Sequence, residues 1–152
     1  MEIIRSVLRE LPEFQQLLTA LDGGQSPVAV SGLAAVHRAH FAACMGQESG
    51  RPVVVVCADE GEAERMARDL SFLIGGEVPV LTARSFLFHN IATVSRQWEH
   101  RRLRLFYRLT HGEIPYLVAT VESLLQRTLP PEALERACTA LEVGQRADLE
   151  EL

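Results

Sequence analysis

A chain of 152 residues, 47% hydrophobic and 23% charged, is long and apolar enough for one buried core and does not fit a disordered segment. Its formal charge of −5 excludes any general attraction to nucleic acid, so such contact would need a local patch. No apolar run approaches the ~20 residues of a membrane span, and Met1-Glu2-Ile3-Ile4-Arg5 lacks a secretory signal's apolar segment; a cytoplasmic chain without membrane partners is expected.

The opening predicts two short helices. Ile3, Ile4, Val7 and Leu8 form one apolar stripe and Phe14, Leu17, Leu18 and Leu21 another, with Pro12 between them and Gly23-Gly24 as the stop. Pro27 to Ser31 predicts the first strand, and Leu33 to about Met45 a helix so apolar that it should be buried. His37 and His40 lie three apart on that helix, but no third ligand stands nearby, and no metal is expected. Pro52 to Ala58, with four successive valines, predicts a buried parallel strand. Its ending, Asp59-Glu60, imitates an acidic pair that holds Mg²⁺, yet Asp59 with Glu62 also makes a capping box for the next helix. Ala63, Met66, Ala67, Leu70 and Leu73 form the inner stripe of that helix.

Val78 to Thr82 predicts a third strand, Arg84 to Arg96 a long connection, and Gln97 to Leu109 a second amphipathic helix. Trp98, Leu105, Phe106 and Leu109 can face a core, while Arg101, Arg104 and Arg108 share an outer face. Six arginines stand against one acid, Glu99, between Arg84 and Arg108. Arg96, Arg101, Arg102, Arg104 and Arg108 are therefore the candidates for an anionic partner, either nucleic acid or an acidic protein surface. Phe86, Phe88 and Trp98 fit base stacking and fit a core equally well. Tyr116 to Thr120 predicts a fourth strand, with Thr120 capping a short helix through Leu125. Pro130-Pro131 breaks the pattern, and Cys138 to Val143 restarts it as a strand-like run before an acidic tail. Cys44 and Cys57 fall in apolar stretches, and three cysteines without metal-type spacing suggest reduced thiols.

The stretch Val28 to His40 has the layout of a phosphate loop, with an apolar run, a glycine turn and a helix start. Counted from Gly32 in G-x-x-x-x-G-K-[ST], the second glycine falls on His37, the lysine on Arg38 and the hydroxyl on Ala39. A ring replaces a backbone cradle, a planar fork replaces a compact ammonium, and a methyl replaces the Mg²⁺ ligand. All 15 cations are arginine, so no loop lysine exists anywhere in the chain. The residues leave two readings open, a decayed nucleotide site or a β-turn-α unit that never met a nucleotide. Either way no cofactor is expected. Alternating strands and helices predict a doubly wound α/β lobe with a mostly parallel sheet of about four strands.

Several segments carry a resemblance. They are Gly32 to Ala39, Pro52 to Glu60, Glu62-Ala63-Glu64 with Asp69-Leu70, Trp98 to Leu109, and Ala119 to Arg127 before Pro130-Pro131-Glu132. Together they resemble the N-terminal, UvrB-like module of the bacterial transcription-repair coupling factor (Mfd) family. The resemblance implies a phosphate-loop-NTPase-like lobe, similar to the first lobe of UvrB, with a degenerate nucleotide site and no catalysis of its own. It divides the chain into N-terminal helices at 1–25, the lobe at 26–136, and the start of a UvrA-recruiting domain at 137–152. It implies a parent that is an ATP-dependent, helicase-like DNA translocase in transcription-coupled nucleotide excision repair. The parent's partners would be its own other domains, UvrA through the following domain, RNA polymerase and DNA. It also implies an incomplete sheet that exposes an edge or an apolar patch, and a tail after about Arg136 that is disordered or docked elsewhere. Two other classes stay in play: an ATPase with an unusual loop, and a nucleic-acid-binding module working through the arginine face.

Overall fold

The computed structural model describes residues 7–83, 97–139 and 143–144. Helix α1 (Pro12–Asp22) starts with proline at its first turn, where the missing N–H would have no partner anyway. Helix α2 (Ala35–Ser49) leads into strand β1 (Val53–Cys57), followed by α3 (Glu60–Ile74) and the short strand β2 (Val80–Leu81). Then come α4 (Gln97–Thr110), β3 (Tyr116–Thr120), α5 (Val121–Leu125) and α6 (Pro131–Arg136).

The three strands form one parallel sheet in the order β1-β3-β2, with Val55 and Val80 both registered on Val118. Strand alternation sends their side chains to two faces. On one face Cys57, Tyr116 and Val118 pack with Ala39 and Ala43 of α2 and with Ala63, Met66, Ala67 and Leu70 of α3. On the other, Leu81, Leu117 and Ala119 pack with Leu105 of α4 and Ile114, backed by Phe106 and Leu109. Every residue of β3 is buried, as a central parallel strand covered on both sides must be. Burying a side chain such as Leu70 or Val118 completely contributes about 1.5–3 kcal/mol.

Five expectations need correction. The strand expected to be buried at Pro52 to Ala58 is covered on one face only, with Cys57 3% exposed but Val54 and Val56 53% and 50% exposed. Pro27 to Ser31 joins no ladder; residues 25–34 are irregular, with Val28 and Val30 exposed. Among the described residues β3 is the only strand paired with β1, so the extended segment has no backbone partner there. The sheet accordingly has three strands among the described residues. The predicted strand at Val78 shortens to Val80–Leu81, because the Val78 N–H donates to Ser71 Oγ (3.0 Å) and Pro79 has no N–H to give. Helix α2 is not buried all round: Val36 is 71% exposed, and burial is confined to Ala39, Ala43 and Cys44. Its first turn carries exposed residues and only its later turns cover the sheet. Cys138 and Thr139 are irregular and Val143 lies in a turn, so the strand expected at Cys138–Val143 is absent from the described part of that run.

The stripe residues Ile3 and Ile4, the connection from Arg84 to Arg96 with Phe86 and Phe88, and the tail at 140–142 and 145–152 lie outside the described residues. Among the described residues, no helix is long and apolar enough to cross a membrane.

Candidate functional site

The sheet's carboxyl ends are where an open α/β lobe presents a ligand. Gly32 takes a left-handed φ of 83°, which glycine permits, within the irregular residues 25–34. The helix begins only at Ala35, and its N-cap residue Ala34 offers no side-chain oxygen. His37 is exposed. Arg38, in the lysine position, sits with its Nη1 3.6 Å from Glu62 Oε1 of α3. Ala39, in the hydroxyl position, is 1% exposed and belongs to the main core. The position that would hold Mg²⁺ is thus a packing contact.

The acidic corner after β1 is occupied by capping. Asp59 Oδ1 accepts the Glu62 N–H at 2.8 Å, and Glu62 Oε2 accepts the Ala58 N–H at 3.1 Å. Asp59 therefore satisfies a free donor of the first turn of α3, as the sequence suggests. Glu62 reaches one residue further back than the standard box requires. Its carboxylate and that of Asp59 also bear on Cys57, whose thiol is pushed above its ordinary value first by burial, then by Glu62 and Asp59. Cys44 Sγ lies 3.5 Å from His40 Nε2 within α2. Among the described residues no three His, Cys, Asp or Glu side chains converge as metal ligands.

On α4 the arginines divide. Arg101 and Arg104 are exposed, and Arg108 is half-buried with its Nε 3.4 Å from Glu113 Oε2. Arg102 turns inward and is 8% exposed. Its guanidinium donates to the Thr82 carbonyl at 3.3 Å and to the Ser123 carbonyl at 3.1 Å. It lies 4.9 Å from the Phe106 ring centroid and 5.4 Å from that of Trp98. Burial lowers its pKa from the ordinary arginine value. This residue ties α4 to Thr82 just after β2 and to α5, and is withdrawn from any partner face. Arg96 lies outside the described residues.

Two residues that the sequence reading did not single out also shape this face. The Tyr107 and His111 rings stack at 4.1 Å, and both line a cavity of about 400 Å³ with Glu135, Cys138 and Thr139. Their i, i+4 spacing on an exposed helix was the available signal.

The chain is 25% identical over 154 residues to the transcription-repair-coupling factor of Bacillus subtilis (strain 168), an alignment covering 100% of this chain and 13% of that protein. It is 29% identical over 147 residues to the transcription-repair-coupling factor of Myxococcus xanthus, covering 91% of this chain and 12% of that protein. The chain thus spans about an eighth of the length of these curated relatives. No protein-family model and no solved structure matches it.

Proposed function

We propose that this chain is the non-catalytic, UvrB-like N-terminal scaffold lobe of a transcription-repair coupling factor, acting in transcription-coupled nucleotide excision repair. Similarity to two such factors along nearly the whole chain supports the parent. The observation that carries the non-catalytic role is the state of the loop after Gly32: its cation is matched by Glu62 and its hydroxyl position is the buried Ala39. A triphosphate would find neither a free lysine-like charge nor an oxygen for its Mg²⁺. In this reading residues 1–25 brace the lobe at 26–136, and 137–152 open a UvrA-recruiting domain. ATP-driven translocation, RNA polymerase contact and DNA contact belong to the rest of the parent, which works in the cytoplasm.

The sheet supports the scaffold reading independently. Val54 and Val56 of β1 are 53% and 50% exposed, although they share the sheet face of Leu117 and Ala119 that α4 packs on, and β1 has one unpaired edge among the described residues. A parallel sheet needs both faces covered and its edges protected, so this region suits contact with other domains of the parent.

Deleting residues 1–152 from the parent tests the role. Repair of the transcribed strand is expected to fall while the parent's DNA-stimulated ATP turnover persists. Loss of turnover in the deletant, together with Mg-ATP binding by the isolated lobe, would overturn it.

A further inference from the structure

The outer side of α4 carries a stripe that neither the core nor the loop uses. His100, Arg104, Tyr107 and His111 follow one another at i, i+4, i+7 and i+11, with Arg101 beside them, and all five are exposed. Arg101 and Arg104 form no ion pair among the described residues, whereas Arg108, on the flank, is already neutralised by Glu113. The stripe runs into the cavity of about 400 Å³ between Tyr107, His111, Glu135, Cys138 and Thr139. Its wall is two stacked rings, held in part because His111 Nδ1 lies 2.8 Å from the Tyr107 carbonyl. Two free guanidinium groups beside a ring-walled cavity match a ligand with carboxylates and one apolar side chain.

We propose that this stripe is a docking surface for an acidic protein segment carrying one apolar anchor residue. The carboxylates would meet Arg101 and Arg104, and the anchor would enter the Tyr107–His111 cavity. Arginine forks hold carboxylates in two-point geometry, and a rigid aromatic wall gives an anchor contact area at little entropic cost. Charge placement favours a peptide over nucleic acid. A phosphate backbone brings a continuous row of negative charge, and here it would have to run past Glu135 at the cavity. A peptide presents its carboxylates singly and can put an uncharged residue beside Glu135. Such a surface operates whether or not the lobe belongs to a coupling factor.

The test is fluorescence anisotropy on the 152-residue chain with a labelled short peptide of Asp and Glu around one Leu. A peptide with Ser in place of Leu and a single-stranded DNA oligonucleotide of similar length serve as competitors. The Leu peptide is expected to bind, the Ser peptide more weakly, and the oligonucleotide weakest at physiological salt. Arg101→Glu with Arg104→Glu should weaken the Leu peptide by about tenfold or more, since it exchanges two attractions for repulsions. Thr139→Trp, which fills the cavity, should remove the preference for Leu over Ser. Absent peptide binding, binding unchanged in both variants, or tighter binding of the oligonucleotide overturns the proposal. Unaltered circular dichroism in both variants keeps any loss attributable to the surface.

Discussion

Arg38 Nη1 and Glu62 Oε1 face each other at 3.6 Å, joining the first turns of α2 and α3. Both side chains are partly solvated, so the pair itself contributes little to stability. Its consequence is electrostatic. The only cation in the Gly32–Ala39 stretch has a carboxylate beside it, and that carboxylate is itself fixed by the Ala58 N–H. A phosphate arriving beside Arg38 would meet a matched pair of charges instead of an open positive one.

Gly46 sets how closely α2 approaches β3. A Cβ built there would lie 2.5 Å from Tyr116 Oη, whose hydroxyl donates to the Ala43 carbonyl at 2.8 Å. Gly46→Val must displace the Tyr116 ring and break that buried bond. Thermal or urea unfolding should show a loss of about 2–4 kcal/mol, combining overpacking with the loss of a buried hydrogen bond. Stability within 0.5 kcal/mol of wild type, on the order of surface-substitution effects, would mean that α2 slides freely.

Arg102 is a fastening between α4, the end of β2 and α5. Arg102→Leu keeps apolar contact with Trp98 and Phe106 but leaves the Ser123 carbonyl buried without its donor, at a cost of about 1–3 kcal/mol. Arg102→Lys should rescue only part of this, because one ammonium cannot reproduce a planar fork spanning two carbonyls. Denaturant titration of the two variants measures the difference, and equal stability of Lys and wild type would contradict the assignment. Arg101→Ala, on the exposed side, should change stability by less than about 0.5 kcal/mol.

The contrast between Arg101 and Arg102 shows what the sequence carried. Arg102 was grouped with the partner-facing arginines on charge alone, although its place four residues after Trp98 and four before Phe106 sets it on the apolar stripe, a spacing that could have marked it as inward. Strands β1 and β3 were legible as strands from their uninterrupted apolar runs, but only β3 has the burial on both faces that such a run implies; β1 leaves Val54 and Val56 half exposed. Asp59 and Thr120 were legible as caps because capping is local chemistry. Pro27–Ser31 was misread because a short apolar run reports β-tendency, whereas a strand also requires a neighbour, which sequence spacing does not reveal. The cavity beside Tyr107 was hidden for the same reason: Glu135 and Cys138 reach it from a different element.

The three thiols should separate cleanly. Cys138 is exposed, whereas Cys44 and Cys57 are buried. A maleimide reagent near neutral pH should label Cys138 first and leave the other two until unfolding. Cys57 adds a pH dependence. Its folded-state pKa is raised, so the native state holds the proton more tightly than the unfolded chain does. That contribution is full below the ordinary thiol value and is lost as pH rises through the raised one. Unfolding midpoints should therefore fall in alkaline buffer more for wild type than for Cys57→Ala, measured against each protein's own neutral value. Parallel declines would remove Cys57 from the account.

The proposal that the lobe has no nucleotide chemistry is tested most directly by isothermal titration of the folded 152-residue chain with Mg-ATP. With Arg38 matched by Glu62 and Ala39 packed in the core, no saturable heat is expected through millimolar nucleotide. Weak anion heat that inorganic phosphate reproduces is compatible with an uncapped helix start. Saturable micromolar binding of Mg-ATP that Arg38→Ala abolishes would contradict the claim.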